Sequence, residues 1–164
     1  MCGAQSVLSV RQIWAEAVSI NSAFLTLIVV AACSDLWTRR VPNALNFTLL
    51  LSGVFAATLG WLAVGWDESI LGVLVAFAML LLPFAMRVYQ GGDVKLCMGM
   101  GAWLGVDGVL WTVGLGIVGG GVLALFVKLS AWKRQDHSEE LTVPMAVSFS
   151  LSGATVYLWG APPW

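Results

Sequence analysis

Six apolar stretches, at residues 17–36, 44–64, 69–88, 94–106, 108–129 and 143–158, fill most of this sequence and leave only short polar joints between them. Nothing else in the chain constrains its fold as strongly. With 59% hydrophobic and 10% charged residues among 164, a water-soluble domain would have too little polar surface to cover itself. Lipid solvates apolar side chains directly, and a crossing helix needs about 20 of them. The expectation is an all-α, polytopic integral membrane bundle of about six transmembrane helices, forming a single domain over 1–164. The mean hydropathy of +0.88 agrees with it. Stretch 94–106 is the short one, reaching only about 20 Å of a hydrocarbon core about 30 Å thick. It is expected to tilt, to start deep, or to hold Asp93 against a water-filled cavity.

Orientation follows from the basic residues, which cytoplasmic loops retain. With the N-terminus outside, Arg39, Arg40, Arg87, Lys95, Lys128, Lys133 and Arg134 all fall on the cytoplasmic side, leaving only Arg11 outside. Asp67, Glu68 and Asp107 then lie at the far side, and an even number of crossings puts the C-terminus outside too. Arg11 and Glu16 precede the first apolar stretch, which argues against a cleaved signal peptide. The net charge of -1 points to no nucleic-acid partner. Cys2, Cys33 and Cys97 form no Cys-x-x-Cys pair, so neither a disulfide framework nor a metal site is expected, and no cofactor.

Glycines crowd the second half, and Gly101 with Gly105, and Gly116 with Gly120, have the spacing that lets helices approach closely. Helix packing is the reading favoured for them. Trp61, Trp66, Trp159 and Trp164 near the outer ends, and Trp37 and Trp132 near the inner ends, suit the membrane interface.

Against this background two acids stand out. Asp35 and Asp93 sit at the ends of apolar segments and, in the topology above, on the same side of the membrane. An ionisable group so placed is costly and marks a pathway or a reacting site. Two carboxylates brought together do not readily ionise together, which leaves one as base and the other as proton donor. Such a pair can hydrolyse a peptide bond without metal or covalent intermediate. A serine or cysteine nucleophile fits poorly, because the sole histidine, His137, lies in the most polar loop, away from Cys33 and Cys97.

The sequence from Asp35 through Arg39, Val41 and Pro42 to Asn43, followed by Gly91-Gly92-Asp93-Val94-Lys95-Leu96, resembles the type IV prepilin peptidases, membrane aspartic proteases of the Gly-x-Gly-Asp class. Val143 to Phe149 is similar to the proline-containing start of that family's last helix. The resemblance implies that Asp35 and Asp93 are the catalytic pair, supported by Arg39, Pro42, Asn43, Gly91, Gly92 and Lys95. It implies an enzyme of the bacterial inner membrane that removes a short basic leader from pilin-like precursors at the cytoplasmic face, just before the precursor's apolar helix. Larger members carry a cysteine-rich cytoplasmic segment and methylate the new N-terminus. This sequence lacks such a segment and looks like the short, peptidase-only branch of tight-adherence (Flp) pilus assembly.

The first glycine of the motif is Gln90 here. Gly91 and Gly92 are expected to supply unusual backbone angles and close approach. If the missing glycine had a positive φ, Gln90 would strain the turn. Pro42 is expected to end the first helical region, with Asn43 capping the second. Pro144, after Thr142, suits the first turn of the last helix. Arg39 pairs with Asp35, binds substrate backbone, or is a positive-inside anchor, and Lys95 reads first as an anchor. Glu139 and Glu140 could receive a basic leader by charge complementarity, although a solvated connector is the favoured reading of this polar loop. Three other functions remain open: a related intramembrane protease with another substrate, a small proton-coupled carrier, and an inactive assembly scaffold. The lack of a visible internal repeat weighs against a carrier.

Overall fold

A computed structural model describes residues 22–38, 41–134 and 145–159. Among these, every regular element is helical. Helix α1 is Ser22–Thr38, α2 Asn43–Thr58, α3 Trp66–Ala85, α4 Gly91–Arg134 and α5 Met145–Trp159. The all-helical expectation therefore holds. Trp66–Ala85, and Gly91–Phe126 taken through a bend, are long and apolar enough to cross a membrane, while the other three are shorter apolar helices. Phe55, Leu82, Phe126 and Leu151 point outward from the bundle. An apolar exterior of this kind suits association with lipid.

Helix α2 stops at Thr58, six residues before its apolar stretch ends. Gly60 takes φ 70°, its N–H donates to the Ala57 carbonyl, and the Trp61 N–H reaches back to that of Ala56. This pairing satisfies the last carbonyls and closes the helix whatever the hydropathy beyond it. The C-terminus of α3 closes the same way, with Arg87 N–H on Phe84 and Val88 N–H on Pro83. There the left-handed position is held by Arg87, at φ 60°.

The expected turn between the fourth and fifth stretches is a single residue. Gly105 (φ 68°, ψ -167°) interrupts α4. A Cβ built on Gly153 would lie 2.6 Å from Met100 Sδ and 3.5 Å from Thr112 Cγ2, yet a straight helix would set residues 100 and 112 about 18 Å apart. The arms 91–104 and 106–134 thus fold back on one another, and Asp107 opens the second arm instead of lying in a loop. A glycine at this φ reverses the chain with no spare residues.

Helix α4 is the centre of the molecule, with α2, α3 and α5 all packed against it. Gly72 of α3 and Gly101 of α4 meet backbone to backbone. Gly116 lies under the Phe149 ring and Gly120 against Met145 Sδ, so the small-residue spacings serve helix packing. Polar pins cross the same contacts: Ser69 Oγ donates to Ala102 O at 2.8 Å, Trp103 Nε1 to Leu49 O at 2.9 Å and Ser152 Oγ to Thr112 O at 2.9 Å. Phe24 of α1 packs on Trp103 and Tyr157, with centroids 5.1 and 4.5 Å apart. Trp37, 91% exposed, and the exposed Trp61, Trp66 and Trp159 suit interface anchors. Trp103 does not, being buried in the core.

Candidate active site

Asp35 lies in the last turn of α1 and Asp93 in the first turn of α4, each 6% exposed. Both lie at the end of the bundle where α1 finishes and α4 and α5 begin. Each rests on a main-chain donor. The Ala146 N–H at the start of α5 donates to Asp35 Oδ2 at 3.1 Å, and the Gln90 N–H donates to Asp93 Oδ2 at 3.1 Å. Helix N-termini leave such N–H groups without intrahelical partners, and the local dipole favours an acid beside them. A carboxylate held at one oxygen still has lone pairs free for water or a carbonyl.

The turn carrying Asp93 corrects two expectations. Gln90 is the N-cap of α4, its carbonyl accepting the Asp93 and Val94 N–H groups at 3.1 and 3.4 Å. Among the described residues the only non-glycine with positive φ is Arg87, so Gln90 is not strained. Gly91 and Gly92 take no positive φ either. A Cβ on Gly91 would meet Phe84 Cε2 at 3.7 Å, and one on Gly92 would meet Val41 at its Cβ, N and O at 3.8, 3.9 and 4.0 Å, all ordinary contact distances. The fold itself does not require glycine at either position.

Asn43 is also reassigned. Pro42, at φ -59° and ψ 136°, is the N-cap of α2, and no side chain caps the helix. The Pro42 carbonyl takes the Leu45 and Asn46 N–H groups. Asn43 is the first helical residue, and its Oδ1 accepts a hydrogen bond from Lys95 Nζ at 2.9 Å. This bond ties the first motif to the second, giving Lys95 a structural contact that its sequence position alone did not indicate. Arg39, Arg40, Glu139, Glu140, Thr142 and Pro144 lie outside the described residues.

Two further residues belong to this end of the bundle. Tyr89, 8% exposed, stands edge-on to Phe149 with centroids 5.5 Å apart. Burial, with nearby Cys97 and Asp93 adding to it, pushes its hydroxyl above the usual range and keeps it a protonated donor. Asn46, one turn into α2, donates through Nδ2 to the Gly92 carbonyl at 3.4 Å. Neither stands in a recognisable motif, and the Ala146 donor is a main-chain group with no sequence signature. Among the described residues no group of His, Cys, Asp and Glu is arranged to hold a metal.

An all-helical bundle with apolar outer faces suits a membrane-associated protein, and two buried acids lie at one end of it. Comparison with known proteins gives the family. A profile of the type IV leader peptidase family matches residues 22–125, and the chain belongs to that family of peptidases. It is 26% identical over 141 residues to the prepilin leader peptidase/N-methyltransferase of Burkholderia pseudomallei strain 1026b, and equally to that of strain K96243. The match takes in 82% of this chain but 44% of each relative, so the chain spans less than half the length of these curated proteins. No solved structure matches.

Proposed function

We propose that this protein is an aspartic endopeptidase of the bacterial inner membrane that removes the short basic leader of pilin-type precursors at the cytoplasmic face. One observation carries the reading: two aspartates 58 positions apart in sequence lie buried at one end of an apolar bundle, each accepting a hydrogen bond from a backbone N–H. An ionised carboxylate takes a proton from water as the water oxygen bonds the scissile carbonyl carbon. Its protonated partner gives its own proton to the carbonyl oxygen, which leaves a neutral diol, the first acid protonated and the second ionised. The neutral diol then collapses: the first acid passes its proton to the leaving nitrogen, the C–N bond breaks, and a diol hydroxyl reprotonates the second acid. The pair ends as it began, and the step needs no third group.

Six crossings with both termini outside would put Arg87 and Lys95 beside the aspartates in the cytoplasm and Asp67, Glu68 and Asp107 at the far side, which agrees with retention of positive charge inside. The short tight-adherence branch remains part of the proposal, as does reception of the basic leader by Glu139 and Glu140, with Arg39 holding substrate backbone.

The test is co-expression with a short-leader pilin-type precursor, reading precursor size with wild type, Asp35→Asn and Asp93→Asn at equal membrane levels. Wild type is expected to shorten the precursor and both variants to leave it intact. Cleavage at the wild-type rate by either variant would falsify the pair. Reversing Glu139 and Glu140 to Lys is expected to slow cleavage, and an unchanged rate removes those residues from leader binding.

A further inference from the structure

The first turn of α2 meets the first turn of α4 through two side-chain bonds. Asn43 Oδ1 accepts from Lys95 Nζ at 2.9 Å, and Asn46 Nδ2 donates to the Gly92 carbonyl at 3.4 Å. Residues three apart share one helix face, so Asn43 with Asn46, and Gly92 with Lys95, meet as two matched pairs. Asp93 lies between the members of the second pair. The Lys95 bond is exposed, whereas Asn46 is 3% exposed and borders an apolar groove of about 340 Å³ between α2 and α3, walled by Phe47, Leu81 and Phe84.

Asn46 is a poor device for stability. Its amide is oriented by the Gly92 carbonyl, since the flipped amide would set two oxygens against each other, and Oδ1 is left buried with no hydrogen-bond partner among the described residues. A buried acceptor in that state is costly. The one bond Asn46 makes, at 3.4 Å, is long and goes to a carbonyl that an α-helix already supplies with an N–H four residues on. What the bond does act on is the peptide unit joining Gly92 to Asp93. The N–H of that unit donates to the Gln90 carbonyl at 3.1 Å, so Asn46 holds its other end. Gly91 and Gly92 give this turn more backbone freedom than any side-chain-bearing residues would, and restraint has to come from outside it.

We propose that Asn46 is a positioning residue for Asp93: by fixing the Gly92–Asp93 peptide it aims the carboxylate, and it takes no part in holding substrate. The proposal rests on the peptidase reading above. The two links to α2 divide the work, Asn43 tying down the exposed side of the turn through Lys95 and Asn46 the buried side through the main chain. A carboxylate that swings away from its productive direction slows the chemical step and leaves substrate binding as it was. Leucine in place of Asn46 keeps the branched shape and removes the orphaned acceptor. It should therefore help the fold while harming the reaction.

The experiment uses the full chain in detergent with a short-leader precursor, and measures kcat, KM and the thermal unfolding midpoint for wild type, Asn46→Leu and Asn46→Gln. Asn46→Leu is expected to lower kcat about tenfold, with KM within about twofold and an unfolding midpoint equal to or above that of wild type. Asn46→Gln keeps the amide donor on a longer arm. It is expected to hold kcat within about threefold of wild type while unfolding earlier through overpacking. The two variants then rank in opposite order for activity and stability, which a residue serving the fold alone does not produce. A leucine variant with wild-type kcat, or one whose kcat and unfolding midpoint fall together, overturns the assignment while leaving the peptidase reading intact. So does a rise in KM at unchanged kcat, which would place Asn46 in substrate binding instead. If wild type leaves a confirmed precursor uncut, both readings fall.

Discussion

The Gln90 N–H donates to Asp93 Oδ2 across 3.1 Å, so the residue capping α4 holds the aspartate through its main chain and not its side chain. Any residue with an N–H can do this. Gln90→Gly is therefore expected to leave precursor cleavage within about twofold, while Gln90→Pro, lacking the donor, is expected to lower it by about tenfold or more. Cleavage rates at equal membrane levels check both. A large gain from glycine would mean that the turn changes conformation during the reaction.

The contact of Gly72 with Gly101 leaves no room for a side chain on either helix, because each Cβ would meet the opposing backbone. Gly101→Ala is expected to cost about 1–3 kcal/mol through overpacking. Thermal unfolding in detergent should show the loss, and Gly114→Ala, where nothing lies within 4 Å, provides the matched control.

Two left-handed residues give opposite expectations. Arg87 holds φ 60° without being glycine, so Arg87→Gly is expected to stabilise by about 1 kcal/mol. Gly105 holds φ 68°, with Val64 Cγ1 only 3.0 Å from a Cβ placed there. Gly105→Ala is expected to destabilise by about 2 kcal/mol, since steric pressure adds to the backbone cost. Unfolding midpoints of the two variants should move in opposite directions.

Trp103 joins α4 to α2 through its Nε1 bond to the Leu49 carbonyl. Trp103→Phe removes the donor while keeping an aromatic ring against Phe24, and is expected to cost about 1 kcal/mol. A second variant, Ser69→Ala, breaks the pin to Ala102, and comparison of the double variant with the two singles would reveal any coupling between these neighbouring contacts.

Hydropathy located the helical stretches because the preference of each side chain for lipid or water is local. The same was true of Asp35 and Asp93, whose cost in an apolar setting is visible one residue at a time. What could not be read was set by backbone geometry. The end of α2 depended on the φ of Gly60 and not on apolar content, and among the many glycines of α4 nothing in the sequence singled out Gly105 as the reversal. Asn43 looked like a cap, yet Pro42 already supplied that geometry and the Asn43 amide went to Lys95. Gln90 looked like a source of strain because its φ was unknown. The groove beside Asp93 was least legible of all, since it arises from two helices failing to pack on each other.

Asp35 takes its hydrogen bond from a residue 111 positions further along the chain. During synthesis the first aspartate is therefore made long before its donor, and a ribosome must have passed residue 146 before the two can meet. Until then a growing chain holds both acids without the contact that orients the first, so assembly of this end of the molecule waits on arrival of its last described helix.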